Sequence, residues 1–366
     1  MRALLLTSVI VLCAVLPGRA RSVDFQPADQ PPQTVTDTSF EARVVKSLPP
    51  YHPEQSVSGV IRIWGHGHVK LQWMKQLVSF WEDGFRRYHP DIKIQYEMHG
   101  TSSAIPALYL GLGDLAILGE EVDPAAVAAF EKVKHYPPLS VDIATGSLDV
   151  RNFDYAQMFF VNKDNPVAQL TLAQLDAIFG AEHRRGLNNI RTWGQLGLKG
   201  EWADKLITPY GWKIDDSFGF FLEQTLLGGS HRWNCALKEY AHINRADGTI
   251  YDHGQQILDA LAQDRYGIAV SNLRYANRNV KPIPLGLQEG GSFYHATKEN
   301  LIERKYPLAR IIPAVVDRPP GMPIDAKVKE FLRYILSREG QEAVNRDGRY
   351  LPLTNEAIGQ ELKKFD

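Results

Sequence analysis

Val60-Ile61-Arg62-Ile63-Trp64-Gly65-His66-Gly67-His68 is the stretch of sequence that decides the fold. Its apolar residues alternate as they do in a short, half-buried β-strand. Two glycines interrupt that pattern, and helical spacing follows over residues 70–87. A strand that stops at glycines and continues as a helix directs backbone N–H groups and the positive end of a helix dipole at one place. The stretch therefore predicts a small-ligand site, most naturally for an anion, that contains two histidines.

Short apolar runs alternate with amphipathic segments along the rest of the chain. This alternation predicts an α/β fold with mostly parallel strands. The carboxyl ends of such strands meet at one edge of a sheet, where open α/β sheets bind ligands. We therefore look for binding residues in the turns that follow the predicted strands.

The overall composition is that of a soluble globular protein. The chain has 366 residues, of which 44% are hydrophobic and 23% charged, and its net charge is −1. Its length allows two domains with substantial cores. Because lysine and arginine are spread along the chain without forming a basic stripe, the composition argues against nucleic acid as a partner.

The N-terminus differs from the rest of the sequence. Residues 1–20 combine a positive start, an apolar run and a small-residue cleavage pattern, which together predict a secretory signal peptide. A lipoprotein signal is disfavoured because Leu12 precedes Cys13. Residues 21–56 are rich in proline and polar residues, and we interpret them as a flexible leader. The sequence therefore predicts an exported protein, periplasmic or secreted.

Several different short motifs follow one another in a characteristic order between about Val57 and Thr354. Together they are more specific than any one of them. Their order and spacing resemble those of the PstS-like periplasmic phosphate-binding proteins, the solute-binding components of ABC importers. The residues that carry the resemblance are Gly65–His68, Gly100–Leu108, Gly111, Gly113–Ala116, Asn162, Asn165–Val167, Leu170-Thr171, Ile178–Gly180, Asn189, Trp193-Gly194, Tyr306–Arg310 and Glu339–Gln341.

The resemblance implies a two-lobed, type II periplasmic-binding-protein fold. Each lobe would be a mostly parallel sheet flanked by helices, and two crossovers would form a hinge. Lobe 1 would comprise residues 57–145 and 272–366, and lobe 2 residues 146–271. The ligand would lie between the lobes, and the closed, loaded protein would meet the permease subunits of an ABC importer in the membrane. We expect a monomer that uses no cofactor and is not an enzyme.

The second motif supplies the hydroxyl groups of the expected site. Thr101, Ser102 and Ser103 begin a predicted helix, where hydroxyls either cap the helix or bind a ligand. In the family a serine here donates to the oxyanion, and Ser102 is the best match. Asp114 matches the family carboxylate that accepts the proton of a protonated phosphate, although it could also serve as a turn or helix-capping residue.

The first turn departs from the family, because His66 and His68 stand where the family has serine and threonine. Imidazole N–H groups could replace the hydroxyl donors. Two histidines at this spacing could also bind a metal. A third possibility is that backbone N–H groups of the turn, including that of Gly67, bind the ligand while both side chains point elsewhere.

The third binding loop departs further, because Trp212 stands where the family has an arginine. Lys213 could supply the missing charge as a point charge. The run Asp215-Asp216-Ser217 lies near the family's Ser-Gly-Thr, and its acidic residues could instead cap a helix. Glu120 and Glu121 replace the Ser-Arg that the family usually has. Such a cleft, with many carboxylates and no arginine, would be a poor trap for phosphate.

Three functions remain open on this evidence. The first is binding of phosphate or a related oxyanion for import. The second keeps the fold and changes the ligand to a divalent metal, a cationic solute or a neutral polar solute. In the metal case His66, His68, Asp114 and Asp215 would have to converge. The third is a metal-dependent phosphoesterase, which is disfavoured because no nucleophile–base pair is recognisable.

Overall fold

The strand predicted within Val60–His68 is present as β1. Its alternating side chains place Ile61 and Ile63 in the buried core. The computed structural model of the chain describes residues 38–67, 74–150 and 155–366. In chain order its strands are β1 (Gly59–Gly65), β2 (Ile92–Glu97), β3 (Leu115–Ile117), β4 (Leu139–Gly146), β5 (Met158–Asn162), β6 (Leu170–Thr171), β7 (Thr208–Trp212), β8 (Lys238–Tyr240), β9 (Ile243–Asn244), β10 (Ile250–Tyr251), β11 (Gly267–Ser271), β12 (Val280–Pro282), β13 (Leu285–Gly286), β14 (Phe293–Tyr294), β15 (Ile311–Val316) and β16 (Tyr350–Leu351).

Most helices begin directly after a side chain that accepts a hydrogen bond from the first helical turn. Thr171 is the clearest example, since its hydroxyl accepts from the backbone of Gln174 while the Gln174 side chain accepts from the backbone of Thr171. The helices are α1 (Phe40–Lys46), α2 (Lys75–Phe85), α3 (Thr101–Tyr109), α4 (Pro124–Lys134), α5 (Leu172–Phe179), α6 (Ser217–Thr225), α7 (His253–Gln263), α8 (Lys298–Ile302), α9 (Ala326–Ile335), α10 (Arg338–Asp347) and α11 (Asn355–Leu362).

The first sheet has the strand order β16-β4-β15-β3-β1-β2. Strand β1 pairs in parallel with β2 and β3, whereas β15 is antiparallel to β3 and β4, and β16 is antiparallel to β4. Strands β15 and β16 come from the C-terminal part of the chain, after the second sheet. They are not connected to their neighbours in this sheet by a β-α-β crossover, which would have required a parallel direction. The predicted α/β class is confirmed, with a sheet that is mixed where we expected a mostly parallel one.

The second sheet has the order β12-β5-β11-β7-β8 and is also mixed. Its strands β11, β7 and β8 are parallel neighbours, and β5 is antiparallel to β11 and β12. Strand β12 lies beyond residue 271, where we expected the chain to return to the first lobe. The core beneath this sheet also includes Tyr306 and Leu308, and the chain rejoins the first sheet at β15.

Residues 38–56, expected to be a flexible leader, are folded onto the domain. They form α1, and beyond it Leu48 and Tyr51 are buried in the core of the first sheet. The Tyr51 hydroxyl donates to Glu330 at 2.6 Å, and the backbone N–H of Tyr51 donates to Glu339 at 2.7 Å. The predicted signal peptide and residues 21–37 lie outside the described residues. Among the helices of the described part, none is long and apolar enough to cross a membrane.

Candidate ligand-binding cleft

The loop after β3 and the loop before α6 border a cleft of about 340 Å³. Strand β3 ends at Ile117 and β7 at Trp212, so both loops leave the carboxyl ends of strands, as in ligand sites of open α/β sheets. This is the kind of place where the sequence predicts the ligand. The cleft is lined by Glu120, Glu121, Asp123, Ile214, Asp215, Asp216, Ser217, Phe220 and Glu223.

Six of these nine lining residues carry a carboxylate, so the cleft is acidic, as the sequence indicated. Most of the carboxylates are already used by neighbouring protein groups. The contacts are Asp123 with the backbone of Ala125 (2.8 Å), Asp215 with Lys213 (2.7 Å), Asp216 with the backbone of Phe218 (3.2 Å), Glu121 with Arg310 (2.8 Å), and Glu223 with the indole of Trp233 (2.8 Å) and with His231 (2.6 Å). The cleft is therefore less able to attract cations than its composition suggests.

A buried arginine, to which the sequence analysis gave no role, pairs with the cleft-lining Glu121. The side chain of Arg310 is fully buried, and its Nη2 lies 2.8 Å from Oε2 of Glu121. Its Nε donates to both oxygens of the same carboxylate at 3.2 and 3.3 Å. Glu121 is about one-third exposed, so the ion pair joins a buried cation to a carboxylate on the cleft wall. A planar, permanently charged guanidinium is the group best suited to a tetrahedral oxyanion.

The guanidinium of Arg310 also lies close to two aromatic rings of α6. The guanidinium carbon lies 5.3 Å from the ring centre of Phe218 and 5.0 Å from that of Phe221. A cation this close to aromatic rings is attracted by them, which helps to hold the guanidinium in place. Arg310 stands in the late sequence motif Tyr306–Arg310, and nothing local in that motif marks its pairing with Glu121, which is distant in the chain.

The N-terminus of α6 forms the second-sheet side of the cleft. Asp216 caps this helix, as the alternative interpretation of its sequence held, and Ser217 is its first residue. Gly219 allows the preceding loop to lie close to the helix, because a Cβ there would come within 2.7 Å of the Ile214 carbonyl oxygen. The free N–H groups of a first helical turn attract anions. Ser217 is exposed and lines the cleft, which fits its predicted role.

Lys213, expected to supply the missing positive charge, is engaged with Asp215 on the exposed rim. Their 2.7 Å ion pair raises the pKa of Lys213 and lowers the pKa of Asp215. Both side chains are more than half exposed, so solvent screens the pair. Lys213 is not among the residues that line the cleft.

His66 joins three parts of the first sheet and lies behind the cleft. Its backbone N–H donates to Ile117 at 2.8 Å, and its Nδ1 lies 3.2 Å from the hydroxyl of Thr101. That hydroxyl also accepts from the backbone N–H of Gly119 at 3.2 Å. The cluster therefore fixes the loop that carries Glu120 and Glu121. Neither His66 nor Thr101 lines the cleft itself.

The remaining residues of the first two motifs have different surroundings. Gly67 is buried, and His68 lies outside the described residues. Ser102 is exposed, whereas the hydroxyl of Ser103 donates to the carbonyl oxygen of Gly100 at 2.8 Å, a local helix-start contact. None of the three described residues lines the cleft. Their predicted contacts with a ligand stay predictions.

Asp114 is not among the residues that line this cleft, and its predicted contact with a ligand stays a prediction. It precedes β3, at the end opposite to the loop that carries Glu120, and it pairs with Arg62 on β1. The carboxylate accepts from Nη2, Nε and the backbone N–H of Arg62 at 2.6, 3.2 and 2.9 Å. Burial alone would raise the pKa of Asp114, but these hydrogen bonds lower it. The charge of Asp114 therefore stabilises the contact between β1 and the start of β3.

The metal site considered from the sequence is not assembled by the described residues. Asp114 is paired with Arg62, Asp215 with Lys213, and His66 with Thr101. Within the described part of the chain, one group of histidine and carboxylate side chains does have metal-binding spacing, namely His242, Asp252 and His253. Sequence reasoning did not single out these three residues.

Comparisons with known proteins agree with this geometry. A sequence model of the family described as "PBP superfamily domain" matches residues 71–339. The phosphate-binding protein PstS of Pseudomonas aeruginosa is 30% identical over 329 residues, which cover 89% of this chain and 93% of that protein. The protein SphX of Synechococcus elongatus is 21% identical over 285 residues, covering 77% of this chain and 75% of that protein.

Solved structures support the same fold. PstS from Borrelia burgdorferi matches with a TM-score of 0.55 at 15% identity, covering 81% of this chain and all (100%) of that one. An ABC-type phosphate transport receptor from Vibrio cholerae matches with a TM-score of 0.50 at 16% identity, covering 80% and 99%. At these identities the likeness concerns the fold, which is that of the type II periplasmic-binding proteins.

The chain is a periplasmic-binding-protein-type substrate-binding protein. Within that superfamily it belongs to the PstS-like family. The relatives are named as binding proteins and transport receptors, which confirms the expectation that the chain is not an enzyme.

Proposed function

We propose that this protein binds phosphate or a closely related oxyanion in the cleft between Glu121 and the start of α6. It then delivers the ligand to the permease subunits of an ABC importer. The names of the relatives support this assignment. The single observation that carries it is the buried guanidinium of Arg310, which pairs with the cleft-lining Glu121 and lies close to the rings of the helix whose N-terminus lines the cleft.

The carboxylates select among anions in this proposal. A tetrahedral oxyanion would accept hydrogen bonds from Arg310 and from the first turn of α6. An oxygen that still carries a proton would donate to one of the carboxylates, such as Glu121 or Asp216. A fully ionised oxyanion has no such donor and would be repelled. Selectivity for protonated phosphate over sulfate follows from this arrangement.

Delivery requires that the protein open and close. We propose that the two sheets are the centres of two lobes, with the cleft between them. In this arrangement the second lobe extends to about residue 308, beyond the boundary at residue 271 drawn from the sequence. Ligand contacts from both sides would favour the closed state, since a ligand shifts an equilibrium by its differential affinity for the two states.

A second ligand class is favoured by one observation, the six carboxylates of the cleft. A cation that prefers oxygen ligands, such as Ca²⁺ or Mg²⁺, or an organic polyamine would suit such a lining. The engagement of most of these carboxylates with protein groups weakens this alternative. Binding of a cation is therefore the alternative that an experiment on phosphate binding must exclude.

Titration calorimetry at neutral pH distinguishes the two classes. We expect saturable heat with inorganic phosphate and none with sulfate at the same concentration. Saturable heat with Ca²⁺, Mg²⁺ or spermidine, together with none from phosphate, would replace the oxyanion by a cation. Equal binding of phosphate and sulfate would leave an anion site but contradict the role given to the carboxylates.

Export is part of the same proposal and has its own test. The relatives and the signal-like residues 1–20 support a periplasmic location. When the full gene is expressed in a Gram-negative host, we expect the protein in the osmotic-shock fraction with a mature N-terminus at Arg21. Retention in the cytoplasm with the N-terminal segment uncleaved would contradict export.

A further inference from the structure

Two histidines and an aspartate converge beside the second sheet, outside the lining of the cleft. His242 lies between β8 and β9, Asp252 precedes α7, and His253 is the first residue of that helix. One potential ligand atom from each side chain lies within 4.8 Å of the other two. The two imidazole rings have centroids 3.9 Å apart with planes inclined by 30°.

Two of these side chains are buried with a polar atom unsatisfied. Asp252 and His253 are each 3% exposed. Oδ1 of Asp252 caps α7 by accepting from the N–H of Gly254 at 2.9 Å, but Oδ2 of Asp252 and Nδ1 of His253 make no hydrogen bond within the described structure. Buried polar atoms in proteins are nearly always hydrogen-bonded, so an unsatisfied pair at one place indicates a missing partner.

The surroundings leave these atoms ready to bind a cation. Nδ1 of His253 is buried and makes no hydrogen bond to the described residues, so it can offer a lone pair to a cation in the tautomer that carries its proton on Nε2. Nδ1 of His242 is 3.8 Å from Oδ2 of Asp252, and among the described residues it accepts one long hydrogen bond, from the backbone N–H of His253 at 3.3 Å. His242 is also partly exposed, so its ring can move.

We propose that His242, Asp252 and His253 bind one divalent transition-metal ion of the zinc class. Two imidazoles and a carboxylate are a ligand set typical of zinc. Zinc–ligand bonds are about 2.0–2.2 Å long, so the three atoms must move closer to each other than 4.8 Å, and the exposed His242 can supply that movement. Asp216 is a neighbour of this site, since its Oδ2 lies 3.9 Å from Nδ1 of His253.

The position of this site gives it a consequence for the cleft. Asp216 lines the cleft and caps α6, and it is the residue through which the metal site and the anion site are neighbours. A bound dication would offset part of the negative charge at this end of the cleft. The metal site does not depend on the cleft binding phosphate, and it can be measured with the metal alone.

Calorimetry with ZnCl₂ on the tag-free, EDTA-treated, phosphate-free protein tests the proposal. We expect one saturable site in the wild type. His242→Ala removes an exposed ligand without disturbing the core, and Asp252→Asn keeps a capping side chain while removing the charge. Because loss of an outer-shell partner alone weakens metal binding by about 10–100-fold, we expect each variant to lose at least about tenfold in affinity.

Matched controls and a second signal complete the experiment. His295→Ala removes an exposed histidine elsewhere and should leave zinc binding unchanged. Co²⁺ should give the visible d–d absorption of a low-symmetry site, and His242→Ala should abolish it, while circular dichroism checks that each variant is folded. Absence of saturable zinc binding, or equal affinity of the wild type and His242→Ala, would overturn the proposal.

Discussion

Arg310 and Glu121 are 189 residues apart in the chain, yet the buried guanidinium of one lies 2.8 Å from the carboxylate of the other. Arg310 immediately precedes β15, and Glu121 belongs to the loop after β3, so the pair joins two antiparallel neighbours of the first sheet at the cleft. The pair makes an acidic cleft compatible with an anionic ligand. Glu121 is the cleft-lining member of the pair, and it also accepts from the backbone N–H of Ile311 at 3.3 Å.

Replacing the arginine separates its structural role from its binding role. Arg310→Met leaves Glu121 without its cation and should destabilise the protein by about 2–4 kcal/mol, below the full cost of breaking a buried pair because Glu121 is partly solvated. Adding Glu121→Gln removes the stranded charge, so the double variant should recover most of that stability. Phosphate affinity should stay low in both variants.

Urea unfolding and phosphate calorimetry on the same samples check these expectations. Arg265→Met is the matched control, because Arg265 forms an exposed ion pair with Glu201 at a similar distance of 2.9 Å and should change stability by no more than about 1 kcal/mol. Wild-type phosphate affinity in the double variant would remove Arg310 from the site.

Asp114, predicted from the sequence to bind the ligand, can be tested directly. Because its carboxylate is bound by Arg62 away from the cleft, Asp114→Asn should leave the affinity for phosphate unchanged while lowering stability by about 1 kcal/mol. The pKa of Asp114 is lowered in the folded state, so its stabilising effect is present above the unfolded pKa of about 3.9 and disappears as the pH falls below it. The stability difference between the wild type and Asp114→Asn should therefore shrink in acid. A large loss of phosphate affinity at neutral pH would restore Asp114 to the site.

Local sequence signals predicted the elements that frame the cleft. Residues Ile92–Glu97 alternate as a strand does and form β2, and the hydroxyl of Thr171 caps α5; both features depend on residues adjacent in the chain, which is why the sequence can reveal them. The same reasoning proposed caps at Asp215 and Asp216, and the structure assigns the cap to Asp216.

Long-range pairing could not be predicted in this way. The partner of Arg310 is set by strand order, and the partner of Asp114 by the register between β1 and β3. The folded segment before β1 was missed because its composition is polar and rich in proline. Its attachment depends on a few anchors such as Leu48 and Tyr51, which bury their side chains against helices from the far end of the chain.

Gly119 keeps the loop of Glu120 and Glu121 close to His66. A Cβ at Gly119 would lie 2.0 Å from Nδ1 of His66, which is buried and cannot move aside easily. Gly119→Ala should therefore displace the imidazole and destabilise the protein by about 1–3 kcal/mol. Combining it with His66→Ala should restore part of the loss, since the clashing ring is then absent.

Thermal and urea unfolding of the Gly119 series measure this effect. Gly359→Ala is the matched control, because a Cβ at this position of α11 meets nothing within 4 Å and alanine favours a helix by up to about 1 kcal/mol. No loss of stability in Gly119→Ala would show that the loop relaxes freely, contrary to the close contact with His66.

The segment before β1 should contribute measurably to stability through Tyr51. Its hydroxyl is the donor to Glu330, a fully buried carboxylate, so Tyr51→Phe should cost about 1–3 kcal/mol by leaving that oxygen without its hydrogen bond. Tyr294→Phe, at a partly exposed ring, serves as the control and should change stability by less than about 0.5 kcal/mol. Equal unfolding midpoints for Tyr51→Phe and the wild type would contradict an anchoring role.

His89 makes the same network sensitive to acid. Its Nδ1 accepts from the backbone N–H of Val57 at 3.3 Å, and its Nε2 lies 2.8 Å from the Tyr51 hydroxyl, which itself donates to Glu330. This arrangement requires the neutral ring, and burial lowers the pKa of His89, an effect partly opposed by Glu330.

The unfolded chain therefore takes up a proton at His89 below about pH 6.5 more readily than the folded protein does. Stability should fall as the pH drops below that value, with a contribution that approaches about 1.4 kcal/mol per pH unit. His253, whose pKa is lowered to about 4, acts in the same direction, so His89→Asn should reduce the slope without abolishing it. Urea unfolding at a series of pH values from 7.5 to about 5 measures both slopes, and parallel curves for the wild type and His89→Asn would exclude His89 as a source of acid sensitivity.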